Sequence, residues 1–245
     1  MEYTRLSETV KIKTISETNT LGLNYLYINR DNNLNPKYAL DNFIVGSFNE
    51  VAFAASQAVI KNPGMTYNPL FIYGPTGLGK THLIQGTGNT IKKHFDSKKI
   101  YYVTSESFSN DYVNSLLNNK ITIFKDKYRK YDVLIMDDVQ FLSKKDKTQE
   151  ELFHLFNHYY DNNKQIIFSS DKPPKFIPNL EERLRSRFEG GIIIDVSKPD
   201  YESRLAILRN KNKALEIKIP DEVLEYLASV IQDSIRELEG ALNSI

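Results

Sequence analysis

No cysteine occurs among the 245 residues, which excludes disulfide staples, thiolate nucleophiles and thiolate-bound zinc or iron-sulfur centres. No apolar run approaches the roughly 18 residues of a membrane span. The N-terminal stretch alternates polar and apolar residues without the apolar block of a signal peptide. A soluble, cytoplasmic protein is therefore expected. Excess charge is also lacking. With 32 Lys and Arg against 31 Asp and Glu the formal net charge is +1, so any attraction for nucleic acid or an anionic membrane must come from local patches. What the chain does have is apolar bulk: 40% hydrophobic and 26% charged residues are enough to build a core and argue against intrinsic disorder. At roughly 150 residues per domain, the length suits one large domain and a smaller second one.

Residues 1–33 sustain no helical or strand period and read as a linker or tail. From Leu34 the texture changes, and an apolar period through Val51, Ala52, Ala55 and Val59 predicts a helix that ends at Asn62-Pro63-Gly64. Near-continuous apolar runs follow at Leu70 to Tyr73, Ile100 to Thr104, Asp132 to Met136, Gln165 to Ser169 and Gly191 to Val196. Runs without alternation are buried on both faces, as in a parallel sheet, and the segments between them have helical spacing. The fold expected is α/β: a five-stranded parallel sheet with flanking crossover helices over 34–197. Thr148-Gln-Glu-Glu151 reads as a capping box, and Asn179 as the cap of a helix from Leu180 to Phe188. One crossover, about 105–130, has room for two helices, broken at Asn118-Asn119. Over 198–245 strand texture stops. A helix from about Asp200 to Ala214, Pro220 opening another and the capping box Ser234-Ile-Arg-Glu237 predict an all-helical lid, incomplete at Ile245.

Gly74-Pro-Thr-Gly-Leu-Gly79-Lys80-Thr81 matches the phosphate-loop pattern between a predicted strand and a predicted helix. The bare pattern arises by chance about once in a hundred chains of this length, so the strand-loop-helix context decides in its favour. Its glycines let successive N–H groups converge on phosphates, Lys80 neutralises β/γ oxygens, and Thr81 ligates magnesium. Val133-Leu-Ile-Met-Asp137-Asp138 ends a strand on two acids at the edge that faces this loop. Asp137 suits the magnesium shell. Asp138 suits the attacking water, with slow turnover expected because it is one methylene shorter than glutamate.

Other charged groups have two readings each. Arg183 and Arg187 share a helix face. Taken alone they form a solvated face paired with Glu181 and Glu182; the sharper alternative sends an arginine to a neighbour's γ-phosphate. Arg236 either pairs with Glu239 one turn on or has a functional role. His154 and His158 lie four apart, but Leu155 stands where a metalloprotease helix needs glutamate, so packing is expected and not a metal. Lys120, Lys125, Lys127, Arg129 and Lys130, interleaved with Phe124, Tyr128 and Tyr131, suit either a half-solvated amphipathic helix or contact with single-stranded nucleic acid.

Together these segments resemble the AAA+ ATPase region, domain III, of the bacterial replication initiator family DnaA. The likeness covers about Leu34 to Ile245 and rests on Asn35-Pro-Lys-Tyr38, Asp41-Asn-Phe43, Tyr67 to Gly74, Gly77-Leu-Gly-Lys-Thr-His82, Asp137-Asp-Val-Gln-Phe141, Gln149 to Phe153, Arg183 to Phe188 and Arg236 to Leu242. The resemblance implies ATP or ADP with Mg2+, held by Gly74, Thr76, Gly77, Leu78, Gly79, Lys80, Thr81 and His82, with the metal on Thr81 and Asp137. It implies a weak ATPase used as a timed switch, with Asp171 as sensor 1, Arg236 as sensor 2, Arg187 as the finger completing an adjacent subunit's site and Arg183 supporting assembly. The surplus helix pair becomes the insertion that wedges subunits into a filament. Val113, Lys145 and Lys147 fall where the family meets single-stranded DNA at the origin; Lys147 stands where arginine is familiar, which loses bidentate phosphate geometry. The family's duplex-reading helix-turn-helix domain would follow Ile245, so origin boxes in duplex DNA are beyond this chain, and a truncated form is expected. The implied location is nucleoid-associated, with a replicative helicase or regulator as further partners. Rival expectations are a related AAA+ regulator or helicase loader acting through proteins, and a phosphate-loop enzyme on a small substrate.

Overall fold

A computed structural model describes residues 31–213 and 218–245. The expected tail lies outside these residues except for its last three. There, Asn32 O accepts from Tyr102 N (2.9 Å) and Asn33 Nδ2 donates to Tyr102 O (3.2 Å).

The strands are β1 (Leu70–Tyr73), β2 (Ile100–Thr104), β3 (Val133–Asp137), β4 (Gln165–Ser170) and β5 (Ile192–Asp195). They form one parallel sheet in the order β2-β3-β4-β1-β5. The expected runs are right to within a residue or two at their ends. The helices are α1 (Glu50–Lys61), α2 (Lys80–His94), α3 (Ser105–Leu117), α4 (Ile121–Arg129), α5 (Asp146–Asp161), α6 (Glu182–Glu189), α7 (Tyr201–Asn212), α8 (Asp221–Val230) and α9 (Ile235–Asn243). The surplus pair in the β2–β3 crossover is α3 and α4, and the chain turns between them with Asn119 at φ 55°.

Successive side chains of a strand face opposite layers, and both layers are apolar. Leu70 and Ile72 join Ile84, Ile91, Ile135 and Val59 on one side. Phe71 joins Phe168, Phe188, Phe108, Tyr128 and Leu155 on the other. Each fully buried side chain of this size contributes about 1.5 to 3 kcal/mol relative to exposure. Helices α7 to α9 close a third cluster of their own, with Leu208, Leu224, Ala228, Leu238 and Leu242 buried.

Two expected caps are corrected. Helix α5 begins at Asp146, so Thr148 lies buried inside its first turn and caps nothing. Helix α6 begins at Glu182, and Asn179 does not cap it. Gln149, reaching across from α5, accepts from Glu181 N (2.8 Å) and donates to Asn179 O (2.9 Å). A buried tertiary partner has displaced the local one. The cap at Ser234 forms as expected, accepting from Glu237 N (3.4 Å), and Asp200 stands just ahead of α7 and caps it by accepting from Ser203 N (2.8 Å).

Candidate nucleotide-binding site

The turn from β1 into α2 runs through Gly74, Gly77 and Gly79 at φ 151°, 84° and 87°, where side-chain-bearing residues are strained. A Cβ on Gly77 would also meet Ser234 Oγ at 2.1 Å, so the loop passes directly under the start of α9. Arg236 N donates to Gly77 O (3.3 Å), which fixes the lid to the loop through main chain. The N-cap of α2 is Gly79, which has no side chain to accept from the helix's first N–H groups and so leaves them for an anion. Lys80 Nζ folds over the loop onto Gly74 O (2.7 Å) and Pro75 O (2.9 Å). Burial pulls its pKa below the ordinary lysine value, opposed by Asp138, Asp137 and Asp171. A buried cation beside uncapped N–H groups is a receptor for phosphate oxygens.

Asp137, 2% exposed, closes β3 in register with Thr104 and beside β4. Its Oδ2 accepts from Thr81 Oγ1 (2.7 Å) and Tyr102 Oη (2.8 Å), and its Oδ1 from Ser169 Oγ. Burial first, and Asp137 next, raise the Tyr102 pKa far above that of a free phenol, so this hydroxyl stays a donor. Asp138 leaves the strand in a left-handed conformation at φ 58°. Its N–H donates to Ser169 Oγ (3.0 Å). Burial, then Asp137, raises its pKa, and Gln140 Nε2, donating to Oδ1 at 3.1 Å, opposes the rise. The same amide accepts from Asp171 N through Oε1 (3.2 Å). Asp171 Oδ1 is buried without a hydrogen-bond partner among the described residues, and its Oδ2 lies 3.4 Å from Lys172 Nζ.

His82 sits apart from this cluster. Its Nε2 lies 2.9 Å from Ala39 O, so Nε2 carries the proton, and its ring packs 5.2 Å from both Tyr38 and Phe43. Burial lowers its pKa, keeping the imidazole neutral. Phe43 lies close to Gly79, with a ring carbon 3.5 Å from where a Cβ would sit. His82 thus faces the segment that enters the fold and not the acids.

Arg183 and Arg187 lie elsewhere, both stacked on Phe153 of α5. Among the described residues no hydrogen bond or ion pair joins Arg187 to its own chain's loop. Arg183 pairs with Glu181 (2.6 Å), as its residues alone suggested, and approaches Glu150 (3.9 Å). The alternative pairing of Arg236 with Glu239 is not made: Glu239 pairs with Lys211 (2.9 Å). Val113 is exposed on α3, Lys145 precedes α5 and Lys147 is exposed in its first turn. His154 and His158 join no metal-ligating cluster among the described residues. In the basic aromatic stretch Phe124, Tyr128 and Tyr131 are core, while Lys127 pairs with Asp111 (2.6 Å) and Lys125 with Glu151 (3.5 Å). Its rings are not available for stacking on bases.

Three residues that converge on the acids were not singled out from sequence: Tyr102, Ser169 and Gln140. The first two sit inside apolar runs whose periodicity says only that they are buried. Gln140 stands in the segment Asp137 to Phe141, but its two-ended bridge depends on the turn at Asp138.

The model of the bacterial DnaA ATPase domain matches residues 34–195. The chromosomal replication initiator protein DnaA of Thermoanaerobacter sp. (strain X514) is 53% identical over 241 residues, 98% of this chain and 52% of that protein. The chain thus spans about half the length of the curated relatives it matches. The crystal structure of domain III of the Thermotoga maritima replication initiation protein DnaA superposes with a TM-score of 0.83 at 44% identity, over 85% of this chain and 87% of that one. A replication initiator DnaA bound to AMPPCP and single-stranded DNA gives 0.80 at 42% identity, over 86% and 65%. With the family model matching most of the chain and curated relatives this similar, this chain belongs to the bacterial DnaA replication initiators, of which it carries the AAA+ ATPase domain.

Proposed function

We propose that the chain is a nucleotide-switched assembly ATPase that opens a replication origin. ATP or ADP is held by the Gly74 to Thr81 loop, with Lys80 transferring from the carbonyls of Gly74 and Pro75 to phosphate oxygens. His82, with Tyr38 and Phe43, lines the side remote from the acids. The donor set fits magnesium: a hydroxyl and a carboxylate 2.7 Å apart are hard oxygen ligands on facing elements, and phosphate and water complete such shells. Magnesium, when bound between Thr81 and Asp137, supplies charge neutralisation at the phosphates. Tyr102 and Ser169 hold the Asp137 carboxylate in place. Asp138, held by Gln140, orients the attacking water, and hydrolysis is slow. Asp171 and Arg236 respond to the γ-phosphate within the chain.

The observation that carries the reading is the separation of two complementary half-sites on one chain: a buried phosphate receptor and, on α6, an exposed arginine that no residue of its own loop engages. Joined between copies, they make assembly depend on the γ-phosphate, by the difference in affinity that one contact supplies. A charge-assisted bond of about 1.5 to 3 kcal/mol per interface favours the ATP form about ten- to a hundredfold. A relative 42% identical is bound to single-stranded DNA, which supports the same engagement here through Val113, Lys145 and Lys147. Duplex origin boxes, a helicase and regulators belong to the longer protein, at the nucleoid in the cytoplasm. Sedimentation with a non-hydrolysable ATP analogue and with ADP tests this. The wild-type chain should form larger species only with the analogue, and Arg187→Ala should need about ten- to a hundredfold more protein to form them while still binding nucleotide; unchanged oligomers in that variant would remove the arginine's role between copies. The regulator or loader alternative is separated by titrating fluorescent single-stranded oligonucleotide: equal affinity with analogue and ADP contradicts a DNA switch.

A further inference from the structure

Two guanidinium groups share the ring of Phe153. Cζ of Arg183 lies 5.0 Å from the ring centroid and Cζ of Arg187 5.6 Å. Their charges are treated differently. Arg183 donates from Nε to Glu181 Oε2 at 2.6 Å, and its Nη2 lies 3.9 Å from Glu150 Oε1. Arg187 meets no carboxylate among the described residues. Its Nε donates to Asn157 Oδ1 at 3.0 Å, and among the described residues its two terminal nitrogens have no hydrogen-bond or ion-pair partner.

Phe153 and Asn157 are four apart on α5, so ring and amide stand on one face. The ring is anchored, half-buried against the aromatic side of the core and packed edge-on to His154. A guanidinium resting on an aromatic face and tethered at Nε keeps only the fork of its terminal nitrogens outward, the geometry that fits a pair of anionic oxygens. Long side chains pay conformational entropy when they are immobilised at an interface, and prior restraint removes part of that cost. We propose that Phe153 and Asn157 are positioning residues for Arg187, holding its guanidinium before assembly with Nη1 and Nη2 presented to the triphosphate of an adjoining copy. Their role rests on the proposed action of Arg187 between copies. Glu181 and Glu150 keep Arg183 from competing for that triphosphate.

Two measurements test this. In the single chain with 15N-labelled arginine, the Arg187 Nε–H should exchange with solvent about tenfold more slowly than in free arginine, and Asn157→Ala should abolish the protection. Exchange at the free rate in the wild-type chain overturns the proposal. In sedimentation with the non-hydrolysable analogue, Phe153→Leu and Asn157→Ala should each raise the concentration needed for assembly about three- to tenfold. Phe153→Tyr, which keeps the ring, should not. In an Arg187→Ala background Phe153→Leu should add nothing, because both changes remove one unit. Equal losses in both backgrounds mean that Phe153 acts through packing alone, and they also overturn it. Nucleotide affinity at the chain's own loop, within about twofold of wild type, controls for folding. Should Arg187→Ala itself assemble normally, the role between copies falls, and the exchange rate still decides whether the platform holds the side chain.

Discussion

The carboxyl edge of the sheet and the outer face of α5 and α6 are built from the same materials, cations and carboxylates beside aromatic rings, yet they handle charge in opposite ways. At the sheet edge Asp137 is buried and surrounded by three donating hydroxyls, and Lys80 is drawn onto its own loop's carbonyls. Both groups are satisfied from within one chain. On the α5–α6 face Arg183 is 43% exposed in its side chain and neutralised by acids, while Arg187 is exposed and keeps its terminal nitrogens unpaired among the described residues. Under the proposal that Arg187 acts between copies, the difference marks which half needs another molecule. A buried receptor can be organised by main chain and short bonds, because exclusion of water strengthens every contact. A donor destined for a neighbour must stay in solvent until the neighbour arrives, so it can only be held from behind.

Three changes would break or sharpen that contrast. The largest effect is expected from Lys80→Ala, which removes the buried cation: nucleotide affinity, read by fluorescent-ATP titration, should fall about ten- to a hundredfold. Retained binding would mean that the sheet edge is not the receptor. Next comes Asp138→Asn. The folded state raises this carboxylate's pKa above its unfolded value, chiefly through burial, so the folded chain binds the proton more readily than the unfolded one. Stability then declines as pH rises from the unfolded value of 3.8 through the folded one, and the charge is a cost at neutral pH. The variant should melt above wild type at pH 7, with the gap closing as the pH falls towards 4; a gap that widens on acidification contradicts this. The smallest effect belongs to the exposed face. Glu181→Gln breaks the Arg183 pair and should change stability to denaturant by no more than about 0.5 kcal/mol, as expected for an exposed pair. A much larger loss would show that this face is organised like the interior.

Much of the fold was legible because its signals are local and strong. Unbroken apolar runs marked all five strands, and the break at Asn118-Asn119 separated α3 from α4. Ser234 caps α9 as its capping-box pattern suggests. The two failures have different causes. Helix α5 starts at Asp146, so Thr148 falls inside its first turn, and at Asn179 the side chain of Gln149 reaches across from α5 and makes the bonds at the start of α6 instead. The basic aromatic stretch allowed two readings until burial turned its rings inward.

By themselves the residues from Gly74 to Thr81 and the pair Asp137-Asp138 determined the expectation of phosphate chemistry, because such chemistry depends on a run of main-chain N–H groups and on acids at a strand's end, both set by contiguous sequence. Folding in three dimensions decided who holds those groups and who is left free. Tyr102 and Ser169 come to Asp137 from neighbouring strands, Gln140 bridges two loops, and Phe153 with Asn157 underlies Arg187 from a different helix. Each of these contacts joins positions far apart in the chain or depends on a backbone turn, and a spacing rule reaches only a few residues along one helix or strand.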